Sequence, residues 1–123
     1  MARHFRIDEA NALLPEVAER MQRLGELQAE AAAGAARARR RARLNGHGGG
    51  IDREIAEGIE EGLLWFERRG IQIKGISPPL VDFPTSSAIG EVLLCWTEGE
   101  EEIGFFHTQE DGFGGRRPLD ELP

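Results

Sequence analysis

With a single cysteine, Cys95, in 123 residues, the chain has no internal disulfide and no zinc site built on cysteines. No apolar run approaches the length that spans a bilayer. The opening MARHFRIDEA lacks the apolar core that a signal peptide needs. A soluble, cytoplasmic protein with no membrane partner is therefore expected. A positive charge balance is missing too: the net charge is −7, which disfavours a nucleic-acid role for the chain as a whole. No glycine-rich phosphate loop of known spacing is present; Gly48-Gly49-Gly50 precedes a helix, but no strand comes before it. At 123 residues the chain is one domain's worth, 1–123.

What is present is organised around residues 8–43, which read as one very long helix. Apolar or small residues fall at Ala10, Leu14, Val17, Met21, Leu24, Ala31, Ala35, Ala38 and Ala42, with Gln28 the polar exception. The steps alternate four and three, the heptad spacing that keeps one stripe against a partner helix. Asp8 is the expected N-cap, with Glu9 favouring the positive end of the dipole. Pro15 removes a hydrogen bond to the residue four earlier, so a kink near residues 11–15 is expected, or a short first turn with the main helix starting at Pro15. Gly25 and Gly34 each weaken the helix by about 1 kcal/mol relative to alanine.

The run from Asn45 to Gly50 supplies residues tolerant of positive φ and ends this helix. A second helix follows, over roughly residues 51–69. Ile51, Ile55, Ile59, Leu63 and Phe66 form its apolar stripe, with Gly58 and Gly62 alongside. The two helices are expected to pack antiparallel as a hairpin over 8–69. At 1.5 Å per residue they would run about 50 Å and about 28 Å. The shorter helix covers only the alanine half, so Leu13, Leu14, Val17, Met21 and Leu24 need cover from the C-terminal half or from another subunit.

Gly70 ends the second helix and the period switches to two. Ile71-Gln72-Ile73-Lys74 and Leu80-Val81-Asp82-Phe83 read as short strands, the latter stopped by Pro84. Glu91 to Thr97 is apolar on both faces and is the expected central strand. Gly99-Glu100 suits a type II′ hairpin turn, after which Ile103 to His107 returns. That register sets Trp96 opposite Ile103 and Val92 opposite His107. The antiparallel meander thus covers 70–108, and the Gly- and charge-rich stretch 109–123 reads as an irregular tail with Phe113 docked. The predicted fold is α+β: a long antiparallel helical hairpin packed on a small sheet of three to four antiparallel strands. Its core brings Leu14, Val17, Met21 and Leu24 against Val92, Leu94, Trp96, Ile103 and Phe105.

Several pieces taken in order carry a resemblance. They are Phe5 to Pro15, Gly70-Ile71-Gln72-Ile73-Lys74, Leu80-Val81-Asp82-Phe83, Leu94-Cys95-Trp96, Gly99-Glu100, His107 and Gly112-Phe113-Gly114-Gly115-Arg116. In order and spacing they resemble a small prokaryotic family of uncharacterised proteins, the domain-of-unknown-function family twenty-two zero three. The likeness covers nearly the whole chain except the alanine/arginine helix tip. The family tends to carry an acidic residue after the lysine, where this chain has Gly75. The resemblance implies no known reaction, cofactor or metal.

The residues able to bind a ligand are Lys74, Asp82, Glu100, His107 and Arg116. His107 with carboxylates could form a metal or general-base site. Glu100 lies at the turn end of its strand, more than about 15 Å from His107 at roughly 3.3 Å per residue. Asp82 reaches His107 only if its strand flanks the central one. The blander readings are a hydrogen-bonded strand-end histidine, a Lys74–Asp82 salt bridge worth little, and Arg116 anchoring the tail to the acidic residues 98–102. Cys95 reads as a buried, unreactive thiol with no histidine near it in sequence. His4 and His47 read as solvated. Arg37, Arg39, Arg40, Arg41 and Arg43 form the one basic patch, a nucleic-acid arm at most and otherwise partners for Asp52, Glu54 and Glu57. The leading functional expectation is a non-enzymatic interaction or scaffold module forming a homo-oligomer, such as a dimer, through its helices. The alternative is a small-molecule or metal-binding protein, or a small enzyme, with its site at one end of the sheet.

Overall fold

The computed structural model describes residues 4–46 and 52–123; His47, the Gly48-Gly49-Gly50 reading and Ile51 lie outside them. The chain order is α1 (Ile7–Asn45), α2 (Arg53–Arg69), β1 (Gln72–Gly75), β2 (Leu80–Ser87), β3 (Gly90–Thr97), β4 (Phe105–His107) and β5 (Arg117–Pro118), with single 3₁₀ turns at Phe113–Gly115 and Leu119–Glu121. The architecture is α+β.

The first helix is one element of 39 residues, with no break at Pro15. The short first turn before Pro15 is absent, and so is the expected cap. The cap is Arg6, whose backbone N–H donates to the Glu9 carboxylate at 3.0 Å, and Asp8 sits inside the first turn. Ala10, Leu14, Val17, Met21 and Leu24 are buried as the seam requires, but Leu27 takes the next inward place and Gln28 is exposed. A repeat of 3.5 falls between those two residues, and the apolar one turns in. Further on, Ala38 is buried and Ala35 exposed.

In α2 the expected stripe holds at Phe66, which is buried, and at Ile59, which packs against the core, but not at Leu63. Leu63 is 41% exposed, while Gly62 faces α1 so closely that a Cβ there would lie 2.6 Å from Leu24 Cδ2. Trp65 meets Arg20, Gly62 meets Leu24 and Gly58 meets Leu27, so the contacts run in opposite order along the two helices. Arg20 and Arg69 both set their guanidinium groups against the Trp65 ring, at 4.4 and 4.1 Å from its centroid.

The sheet has five strands in the order β1-β2-β3-β4-β5, each antiparallel to its neighbours, rather than three or four. The extra strand is Arg117–Pro118, which shows no alternation to read and sits at the edge, where proline is tolerated. As expected, β3 is central, and Val92 to Trp96 are all buried. Strand β2 continues through Pro84. Its pairing with β1 stops at Asp82, and the N-terminal segment takes over that edge. Phe5 N–H donates to the Pro84 carbonyl at 2.7 Å, and the Thr85 hydroxyl donates to the Phe5 carbonyl at 2.5 Å. The missing N–H of Pro84 thus faces a side where no strand requires it. Phe5 also packs edge-on against Phe83, with centroids 5.3 Å apart.

The β3–β4 register differs from the expected one by a single residue. Leu93 stands opposite His107, Leu94 opposite Phe106 and Cys95 opposite Phe105. The connection is not a tight two-residue turn. Glu100 folds back on β3, its N–H donating to the Thr97 carbonyl at 3.2 Å and its carboxylate accepting the Thr97 N–H at 2.9 Å. Trp96 Nε1–H donates to the Glu100 carbonyl at 2.8 Å, and the Asn11 side chain on α1 accepts the Ile103 N–H at 2.6 Å. Because side chains alternate with period two, one residue of slip exchanges the faces. Phe106, not Phe105, joins Leu14, Val17, Met21, Leu24, Val92, Leu94, Trp96 and Ile103 in the core against the helices. His107 turns to the outer face.

Candidate functional site

The outer face of the sheet carries the alternate residues: Leu80 and Asp82 on β2, Leu93 and Cys95 on β3, and Phe105 and His107 on β4. The segment after β4 folds over this face and leaves a cleft of about 460 Å³. Leu80, Leu93 and Phe113 give it apolar walls, while Lys74, Asp82, His107 and Gln109 supply polar groups. Lys74 is the only lysine in the sequence. It stands exposed on β1 at the rim, near enough to pull the Asp82 carboxyl toward its charged form.

Asp82 and His107 are each only 3% exposed. Strand β2 does flank the central strand, and the His107 ring reaches across β3 so that Nε2 lies 3.1 Å from both Asp82 oxygens. The other ring nitrogen, Nδ1, is 2.7 Å from the Thr108 carbonyl. A carbonyl only accepts, so Nδ1 carries a hydrogen. Nε2 then faces the carboxyl group with one proton shared between them, either as an imidazolium with a carboxylate or as a neutral imidazole with a carboxylic acid. A deprotonated pair would set a lone pair against a carboxylate. Burial pushes the Asp82 carboxyl above its usual range, and His107 and Lys74 pull the other way.

Cys95 stands directly across from Asp82 and is 1% exposed. The ligating atoms of Asp82, Cys95 and His107 all lie within 4.8 Å of one another. Burial pushes the Cys95 thiol up to about 11, with Arg116 opposing and Asp82 and Glu100 adding to the rise. The histidine missing beside Cys95 in sequence is thus supplied by the fold.

Of the five residues expected to form a site, Lys74, Asp82 and His107 converge on the cleft. Glu100 and Arg116 pair with each other instead. The Arg116 guanidinium also lies 3.9 Å from the Phe105 centroid and 4.8 Å from that of Phe113, which anchors the segment roofing the face. The Lys74–Asp82 salt bridge is not among the ion pairs of the described residues. Sequence reasoning placed His107 on the wrong face and so missed its convergence with Cys95. The alternation of Asp82, Cys95 and His107 onto one face is readable once the register is known. His4, read as solvated, meets Ser86 through Nδ1 at 3.0 Å and Glu91 through Nε2 at 2.8 Å, and Gln109 reaches the same Glu91 at 3.3 Å. This exposed cluster ties the N-terminal segment to the cleft rim. Arg37, Arg39, Arg40, Arg41 and Arg43 are exposed on α1.

A family model described as "Uncharacterized conserved protein (DUF2203)" matches residues 3–119. No curated protein and no solved structure matches the chain.

Proposed function

Because the chain belongs to this family of uncharacterised conserved proteins, we propose its role from the cleft: the protein binds a small organic anion with an apolar body on the outer face of the sheet. One observation carries this reading. Lys74, Asp82 and His107, from three different strands, meet on the wall of an open cleft whose apolar walls are Leu80, Leu93 and Phe113. The ammonium group attracts an anion, the apolar walls hold its body, and the buried pair can donate or accept one proton at its polar end. Benzoate, an aromatic carboxylate, is a fitting probe. Titrated into ¹⁵N-labelled protein, it is expected to give saturable shifts at the amides of Gln109, Gly112 and Phe113. Lys74→Ala should weaken it about tenfold, or about 1.4 kcal/mol. Shifts that never saturate, or that spread over the whole surface, would overturn the reading.

A second proposal concerns the helices: they form an antiparallel hairpin whose arm pairs with that of a second copy as a coiled coil. Its support is the mismatch between 39 residues in α1 and 17 in α2, together with Leu44, which is 86% exposed near the tip. Light scattering should then report a dimer mass, and a strict monomer at high concentration would remove the proposal.

A further inference from the structure

We propose that Asp82, Cys95 and His107 hold a zinc ion through one carboxylate oxygen, the thiolate and Nε2. This deepens the cleft reading, since Asp82 and His107 both line the cleft and the ion's fourth position would be filled from there by water or by the anion. Cysteine-rich sites were excluded by the single cysteine, but a mixed sulfur, nitrogen and oxygen set needs only one. Three protein ligands and an open fourth position are the pattern of zinc sites that bind or activate a small molecule.

Three observations carry the assignment. First, the donor atoms already converge. A tetrahedral ion at zinc's usual bond lengths needs them about 3.3–3.6 Å apart. Nε2 and the Asp82 oxygens are separated by 3.1 Å, and the whole set lies within 4.8 Å. The sulfur needs to approach by only about an ångström. Second, the histidine is oriented as a ligand. The Thr108 carbonyl holds Nδ1–H at 2.7 Å, leaving Nε2 as the inward atom. A backbone carbonyl on the remote nitrogen is the common outer-shell partner of a metal-bound histidine. Third, the charges balance. A thiolate, a carboxylate and a neutral imidazole sum to −2, which a divalent cation neutralises inside a face where each residue is 3% exposed or less. On binding, the thiol proton and the proton shared by Asp82 and His107 pass to solvent.

The full-length protein, stripped with a chelator, can be titrated with Co²⁺ in place of zinc. A near-ultraviolet thiolate-to-cobalt charge-transfer band is expected, saturating at one metal per chain and bleached by added Zn²⁺. Cys95 is the only cysteine, so the band identifies its own ligand. Cys95→Ala leaves a small apolar group in the slot. With its fold confirmed by circular dichroism, it should lose the band and bind Zn²⁺ at least about a hundredfold more weakly by chelator competition. No band in the wild-type protein at stoichiometric Co²⁺, or unchanged zinc affinity in Cys95→Ala, would overturn the assignment. Benzoate saturation without the band would remove the ion and leave the anion cleft standing; the band without benzoate saturation would do the reverse.

Discussion

Asp82→Ala is expected to destabilise the metal-free fold by about 1–5 kcal/mol, the range from an unsatisfied buried acceptor to an uncompensated buried charge. The size follows from what is left behind. With the carboxyl group gone, His107 remains 3% exposed with Nδ1–H held on the Thr108 carbonyl and Nε2 facing an apolar gap. Neutral, it carries an unsatisfied buried acceptor; charged, it carries an uncompensated buried cation. Asp82→Asn separates this from a loss of packing. Its amide N–H can donate to the Nε2 lone pair in nearly the same place, so it should cost only about 1 kcal/mol. Urea unfolding of both variants measures the difference as a shift in midpoint at constant slope. Equal losses in the two would show that the amide does not replace the carboxyl group as a partner for Nε2, and that packing volume is not what Asp82→Ala removes.

The second large effect lies where the helices touch. Leu24→Ala is expected to cost about 2–5 kcal/mol, since the side chain is 1% exposed and its truncation removes buried apolar atoms from the contact with α2. The more telling result is its coupling to Gly62. A Cβ at Gly62 would lie 2.6 Å from Leu24 Cδ2 and 3.1 Å from Cγ. In the wild-type background, Gly62→Ala should therefore destabilise by up to about 2 kcal/mol, with overpacking exceeding its gain in helix propensity. In the Leu24→Ala background the obstructing atoms are gone, and the same change should stabilise by about 1 kcal/mol. A double-mutant cycle reads this reversal as a coupling of about 1–3 kcal/mol. Additive effects would mean that the two backbones are not held together by the glycine.

Much of the fold was legible because it rests on local periodicity. The inward faces of Leu14, Val17, Met21 and Leu24, the end of α2 at Gly70 and the centrality of β3 all follow from residues a few places apart. What was not legible depends on partners far away in sequence. Pro84 reads as a strand stop until Phe5 occupies the edge beside it. The hairpin register depends on Glu100 bonding Thr97 and on Asn11 holding Ile103 from another element. That single residue of slip decided the candidate site, moving His107 away from Val92 and toward Cys95 and Asp82. Glu100 and Arg116 form the tail anchor that the acidic stretch 98–102 suggests, and the distance along the strand already sets Glu100 apart from His107.

The docking of Phe5 on β2 also constrains the order in which the chain can mature. Its contact with Thr85 spans 80 positions. On a ribosome, α1 is synthesised long before the edge that receives its leading residues, so its entry point stays untethered until β2 has emerged. Such distant closures come late and slow folding. The same latch gives the finished sheet a blocked flank along part of β2, denying a stray strand from another molecule a template on which to add.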